Sequence, residues 1–191
     1  MNELIFATHN QNKTDEIRAI LPQYKLHSLA DINFTEEIEE TGKTLKENAL
    51  IKAQTIFDKL GKPCFADDTG LEVHALGGAP GVYSARYSGK DANSEKNMDK
   101  LLRELEDKED RSAAFKTVIA YVDEQGTPHC FEGTVEGEII FEKRGDRGFG
   151  YDPLFMPAGY EQTFAQMTPI QKNEISHRSR AVALFVSYLR R

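Results

Sequence analysis

Cys64-Phe65-Ala66-Asp67-Asp68-Thr69-Gly70-Leu71 carries an apolar strand-like run into a glycine across two adjacent carboxylates. In α/β sheets the carboxyl ends of strands are where ligands bind, so a strand giving way to polar residues marks a place for chemistry. Side chains on a strand alternate between faces, so Asp67 and Asp68 cannot both enter the core, and an unpaired buried carboxylate is costly. At least one of them is expected to meet a cleft or a cation. Taken alone, the same residues also read as an Asx turn closing a strand. Their company along the chain has to decide.

Working outward, Leu4 to Ala7 is a short apolar strand, and Ile17, Ile20 and Leu21 recur at helical spacing before a strand-like run at Tyr24 to Ser28. The opening is therefore β-α-β. After the acidic stretch Glu36 to Glu40, Thr44 and Glu47 have the spacing of a capping box, and Leu45, Ala49, Ala53, Ile56, Phe57 and Leu60 form one apolar stripe that Gly61 stops. Met98, Leu101, Leu102 and Leu105 mark a third helix, followed by the charged run Glu106 to Arg111, read as a solvated loop. Phe115, Thr117, Ile119 and Tyr121 alternate onto one face, turn residues Asp123 to Gly126 follow, and a second strand is expected around His129 to Val135. A further strand at Glu138 to Phe141, a glycine-rich loop from Gly145 to Gly150 and a last helix bearing Ala181, Leu184, Phe185, Tyr188 and Leu189 complete an α/β chain with a mixed sheet.

The chain has 191 residues, which suits one domain over 1–191 with a sizeable core, and no Pro, Gly or Ser-rich linker divides it. A formal charge of −7 argues against holding nucleic acid polymers or anionic membranes by bulk electrostatics. Any phosphate must be met locally. No run approaches a membrane span, and Met1-Asn2-Glu3 carries neither a basic region nor an apolar signal core, so a cytoplasmic location is expected. Cys64 and Cys130 lack metal-ligand or redox spacing and read as buried thiols.

Four further groups could carry chemistry. Thr8-His9-Asn10-Gln11-Asn12-Lys13 ends the first strand and opens a helix, whose free N–H groups favour an anion; the alternative is a polar turn with Asn12 as N-cap. Glu36, Glu37, Glu39 and Glu40 suit the positive end of a helix, and one of them near Asp68 would complete a magnesium site made of one or two carboxylates plus substrate phosphates. Lys52 is four residues from Asn48, hence a neighbour that could support it facing ligand, with a surface lysine as the alternative. Finally, Phe149, Gly150, Tyr151 and Asp152 with Lys172, Ser176, His177 and Arg178 combine aromatic faces with donors, a mixture suited to a purine nucleotide. Core aromatics and surface donors are the plainer reading of that last group.

Taken together, THNQNK (8–13), EETGKTLKENALIKA (39–53), ADDTGLEVHALGGAPGVYSARYSG (66–89), FGYDPLF (149–155) and KNEISHR (172–178) resemble the inosine triphosphate pyrophosphatase family, also called XTP/dITP diphosphatases. The blocks occur in family order and span nearly the whole chain. The resemblance implies hydrolysis of deaminated purine nucleoside triphosphates to monophosphate and pyrophosphate. It implies an elongated, twisted mixed sheet flanked by helices, with two lobes around a central nucleotide cleft, and a homodimer. By the same resemblance Thr8 to Lys13 would hold the triphosphate, and Glu40 with Asp68 would hold Mg²⁺, for which Mn²⁺ could substitute. Asp68 is the favoured base and Asp67 its second carboxylate, the division between them staying open. Lys52 and Thr69 would touch substrate, and Phe149, Gly150, Tyr151, Asp152, Lys172, His177 and Arg178 would form the nucleoside pocket. Thr69 stands where the family usually has serine and keeps the hydroxyl; Leu45 stands where it usually has phenylalanine. The rival readings are a Maf-like pyrophosphatase, which lacks the ADDTGL and FGYDP blocks, and a non-catalytic nucleotide sensor.

Overall fold

The computed structural model describes residues 3–190; Met1 and Asn2, read above for a signal segment, lie outside it. Six strands run β1 (Glu3–Phe6), β2 (Lys25–Ser28), β3 (Cys64–Val73), β4 (Ser112–Val122), β5 (Pro128–Ile139) and β6 (Phe155–Pro157). Among the described residues five α-helices accompany them, α1 (Gln11–Ile20), α2 (Leu45–Leu60), α3 (Ser94–Glu104), α4 (Pro169–Ile175) and α5 (His177–Leu189), with two short 3₁₀ turns at His74–Leu76 and Gly81–Arg86. The strands form one sheet in the order β2-β1-β3-β4-β5-β6. β1 lies parallel to both β2 and β3, whereas β5 and β6 are antiparallel, so the sheet is mixed. The link between neighbours β4 and β5, residues 123–127, is too short for a parallel crossover and makes them a hairpin.

Local chemistry accounts for the element ends. In α2 the Thr44 hydroxyl accepts the Glu47 N–H while the Glu47 carboxylate reaches back, and Gly61 ends the helix in the left-handed conformation. Asn10, not Asn12, caps α1, its side chain accepting the Lys13 N–H. A second capping box, Thr168 with Gln171, and Pro169 in the first turn start α4. That signal is in the sequence but a seven-residue helix has too few turns to show a stripe.

Two compact units divide the chain. The first contains the segment up to Asp68, Thr117–Gly133 and the segment from Arg178; the second contains Thr69–Lys116 and Thr134–His177. In the first, Phe6 and Phe65 stack with ring centroids 4.6 Å apart, in a core shared with Ile17, Leu26, Ile119 and Phe185. In the second, Phe115 meets Phe155 edge to face at 4.7 Å among Leu71, Leu101, Ile139 and Phe164. β4 serves both, and it is buried on both faces nearly throughout, so Val118, Ala120 and Val122 are as enclosed as the alternating set that sequence picks out.

Other expectations change as well. Asp67 and Asp68 do not end a strand: β3 continues through Thr69 and Gly70 to Val73. The region 138–141 is no separate strand, since β5 runs unbroken to Ile139. Cys64 is buried, but Cys130 is exposed. Glu36, expected to face the start of α2, instead pairs with Lys59 in its last turn. No helix among the described residues is long and apolar enough to cross a membrane.

The charged run after α3 is solvated except at its end. Arg111 is buried, and its guanidinium donates to the carbonyls of Ile139 (2.6 Å), Leu105 (3.1 Å) and Ile140 (3.1 Å) with the Phe141 ring 4.2 Å away. A planar fork with five N–H donors can meet three carbonyls spread around it at once. Arg111→Met strips all three and is expected to cost about 2–4 kcal/mol, read as a lower urea midpoint at unchanged slope. A cost below about 0.5 kcal/mol, the range of an ordinary surface change, would contradict this role.

Candidate active site

β3 places Asp67 and Asp68 on opposite faces at the end of the first unit's share of the strand. Asp67 is fully buried and saturated with cations. Lys13 Nζ, from the first turn of α1, donates to its Oδ1 at 2.9 Å. Arg178, from the first turn of α5, donates from Nε and Nη2 to its Oδ2 at 3.3 Å each, and Arg178 Nη1 binds Glu16. Burial by itself would raise the Asp67 carboxyl, but Lys13, Arg178 and Lys52 outweigh it and hold the group well below the usual carboxylate range.

Asp68 is in the opposite condition. Lys52 Nζ, from α2, lies 3.0 Å from Glu40 Oε1 and 3.4 Å from Asp68 Oδ1, bridging the two carboxylates. The other oxygen of Asp68, Oδ2, is buried with no hydrogen-bond partner. Burial pushes this carboxyl up, Glu40 and Asp67 add to the effect, and Lys52 and Lys13 do not cancel it. Lys52 itself is driven down by burial and more than restored by Asp68 and Glu40. Adjacent carboxylates with environments that pull their affinities for protons apart are the usual arrangement of an acid-base site. Among the described residues no group of three or more His, Cys, Asp or Glu side chains is arranged to hold a metal. The two carboxylates joined through Lys52 and the orphaned Asp68 oxygen do fit a hard dication that completes its shell with water and phosphate.

The remainder of the first block has local duties. Asn10 caps α1, Gln11 Nε2 donates to Asp15 at 2.7 Å, and His9 Nε2 donates to the Glu36 carbonyl at 3.0 Å with its ring against Phe34. The Thr8 hydroxyl accepts the Asn10 N–H, and Asn12 is exposed. Of the six residues, Lys13 is the one whose side chain joins the aspartates. Asn48 is buried beside Lys52 on α2 but does not bond it; its Oδ1 accepts the Gly42 N–H.

In the second unit the aromatic set is built around a buried ion pair. Lys172 Nζ, on α4, donates to Asp152 Oδ2 at 2.6 Å, and the same oxygen accepts the Phe149 N–H at 2.9 Å. The ammonium lies 5.1 Å from the Phe149 ring centre and 5.5 Å from that of Phe164. Tyr151 is buried and donates to the Ser84 carbonyl, and burial pushes its hydroxyl up. His177 stacks on Phe115 at 4.7 Å, Gly150 turns the chain at φ 62, and Thr69 is half-buried on β3. His177 and Arg178 are thus separated: the first belongs to this set, whereas the Arg178 guanidinium is committed to Asp67 and Glu16.

Gly148 makes the Asp152 arrangement possible. At φ +71, a Cβ there would lie 2.0 Å from Asp152 Oδ2. Gly148→Ala is expected to displace that carboxylate from Lys172 and Phe149, costing about 2–3 kcal/mol and so lowering Tm by about 5–10 °C. A Tm within about 2 °C of the unaltered protein would refute the contact.

The family model described as Ham1 family matches residues 4–188. The chain belongs to the Ham1 family. Among curated relatives, a dITP/XTP pyrophosphatase of Christiangramia forsetii is 54% identical over 188 residues, 98% of each chain. One of Porphyromonas gingivalis is 50% identical over 191 residues, 99% of this chain and 98% of its own. The Staphylococcus aureus Ham1 protein, a solved structure, superposes with a TM-score of 0.90 at 41% identity, covering 99% of this chain and 98% of that one. The α/β mixed sheet is therefore the Ham1 fold. One residue of the Ham1 cluster, Glu16, escapes sequence reading. Its signal is present, because Glu16 lies three residues after Lys13 and so on the same face of α1.

Proposed function

We propose that the protein is a magnesium-dependent nucleoside triphosphate pyrophosphatase that hydrolyses dITP, ITP and XTP to the monophosphate and pyrophosphate. The observation that carries this reading is the pairing of a cation-saturated Asp67 with a proton-seeking Asp68 whose Oδ2 has no partner. It is supported by the names of the curated relatives, dITP/XTP pyrophosphatases at 54% and 50% identity.

Glu40 and Asp68 are the residues that would hold Mg²⁺, with Mn²⁺ as a substitute. When bound, such an ion neutralises phosphate oxygens and favours an in-line displacement. The chain's own groups supply the rest. Asp68 Oδ2 takes the proton of the attacking water as its oxygen bonds to the α-phosphorus, and pyrophosphate departs as the α-β bridging bond breaks. A base whose proton affinity is raised by burial is better matched to neutral pH than an ordinary carboxylate. Lys13 and Lys52 provide cationic charge for the phosphates, and Asp67 holds Lys13 and Arg178 in place rather than acting as base.

Base recognition falls to the second unit's set, in which Phe149 offers a ring face. Hypoxanthine and xanthine carry an acceptor at the six position, where adenine carries a donor, so a donor in the site rejects adenine by leaving itself unpaired. A homodimer in the cytoplasm completes the reading, which sedimentation velocity checks for the assembly state. The deciding assay incubates the protein with a panel of nucleoside triphosphates and Mg²⁺, then separates monophosphate, diphosphate, phosphate and pyrophosphate. Pyrophosphate with ITP, dITP and XTP preferred over ATP and GTP is expected. Equal kcat/KM for GTP and ITP would overturn the specificity, and bound nucleotide without pyrophosphate release would overturn the activity in favour of a sensor.

A further inference from the structure

The side chain of Asn48 is completely buried, and its two polar atoms have different fates. Oδ1 accepts the Gly42 N–H at 2.8 Å, while Nδ2 is buried with no hydrogen-bond partner. Which end of the amide faces Gly42 is not a free choice. A backbone N–H only donates, so the oxygen must meet it and the amino group must be the end left over. Flipping the amide would set a donor against a donor and leave the oxygen unmet as well. A buried donor without an acceptor is destabilising and is uncommon in folded proteins, so its retention asks for an acceptor that arrives with something bound.

The surroundings say what kind of acceptor. Asn48 lies one turn before Lys52 on α2, and neighbours four apart share a helix face. Lys52 bridges Glu40 and Asp68, and Gly42, the residue that Asn48 holds, is two positions after Glu40 in a stretch without regular structure. One side chain therefore ties the segment carrying Glu40 to the helix carrying Lys52. The fit leaves no slack, because a Cβ on Gly42 would lie 2.6 Å from Asn48 Oδ1, 2.7 Å from Glu47 Cβ and 2.9 Å from the Asn48 nitrogen. The unpartnered Asp68 Oδ2 belongs to the same group of residues.

We infer that Asn48 is a positioning and phosphate-binding residue: Oδ1 sets the Glu40 segment through Gly42, and Nδ2 donates to an oxyanion oxygen of the bound polyphosphate. This rests on the pyrophosphatase reading and adds to it a donor for the phosphate chain. The two halves separate in two variants. Asn48→Ala removes both the clamp and the donor, whereas Gly42→Ala disturbs the clamp by steric contact on Asn48 Oδ1 and keeps an amino group on the side chain.

The probe is inorganic pyrophosphate, titrated calorimetrically into each protein in the presence of a chelator, so that the readout does not depend on metal or turnover. The expected result is that Gly42→Ala binds it up to about threefold more weakly than the unaltered protein, and Asn48→Ala about tenfold or more weakly than Gly42→Ala, the worth of a hydrogen bond to a charged oxygen. Both variants should lose pyrophosphate release from dITP. Equal affinities of the two variants, within twofold, would show a structural clamp only and overturn the donor. An unaltered protein that binds no pyrophosphate would overturn it too. If Asn48→Ala does not fold, Asn48→Asp takes its place, since it keeps an acceptor for Gly42 and lacks the donor. Binding of pyrophosphate that depends on Asn48, in a protein that releases none from dITP, would sink the pyrophosphatase reading and leave this inference standing.

Discussion

Asp67→Ala is expected to destabilise the protein by about 3–5 kcal/mol, the usual consequence of removing one partner from a buried ion pair. The magnitude follows from what stays behind. Arg178 keeps Glu16, but Lys13 loses the carboxylate that it donates to, in a place where burial already depresses its proton affinity. At about 2–4 °C per kcal/mol for a chain of this size, Tm should fall by about 10 °C or more. The pH dependence gives a second signature. Because folding lowers the affinity of Asp67 for a proton, its stabilisation is fully present above the unfolded value of about 3.9 and is lost as pH falls through the lower folded value. The unaltered protein should therefore shed this stability only in acid below about pH 4, and Asp67→Ala should lack that component. Guanidinium unfolding from pH 7 downward reads both effects. A variant with unchanged stability would show that the cations around Asp67 do not depend on it.

Asp68→Asn should do the reverse, abolishing activity while sparing the fold. On the proposed mechanism Asp68→Asn loses a general base, which lowers rates by about 10²–10⁴-fold, and an oxygen proposed to hold metal, so pyrophosphate release from dITP should fall by about 10³-fold or more. The linkage has the opposite sign here. Folding raises the proton affinity of Asp68, so its contribution to stability is present in acid and is lost as pH rises through the folded value. At neutral pH the ionised group is a burden on the fold, and a neutral amide of the same shape relieves it. Tm is accordingly expected to hold or rise at pH 7. Wild-type turnover in Asp68→Asn would remove Asp68 from the mechanism, and a Tm lowered by about 10 °C would make it a structural residue. Together the two variants assign the adjacent aspartates different work, one holding cations and the other exchanging a proton.

How much of this was legible in the chain depends on the distance over which each signal acts. The β-α-β opening, the stripe of α2 and its capping box are contained in windows of a few residues, where helical period and cap chemistry suffice, and they stand as read. Thr69 and Gly70 point the wrong way because turn-forming residues ordinarily end a strand. In the structure the strand continues through them to Val73 beside β4, past the end of β1, whose register on β3 covers Cys64 and Phe65, and pairing across strands overrides a local preference for turning. Arg111 and Cys130 failed for the same reason in opposite directions. A charged run says nothing of three distant carbonyls converging on its last residue, and an apolar run says nothing of which side of β5 faces water.

The site divides along the same line. Residue types and their order determined the family and the mixed α/β fold, and they put forward the groups proposed for the site: Lys13, Glu40, Lys52, the aspartates and the downstream aromatic set. Only the tertiary structure decided how they pair. Lys13 reaches Asp67 across 54 positions and Arg178 reaches it across 111, which takes Arg178 from the aromatic group beside it in sequence and gives it to the carboxylate. The aspartates at 67 and 68 are chemically identical and adjacent, so composition and spacing cannot tell them apart, and the family resemblance favours Asp68 as base with no physical reason attached. What separates them is burial among different charges, a property of the folded surroundings: cations hold one ionised, and a low-dielectric wall with two further carboxylates leaves the other seeking a proton.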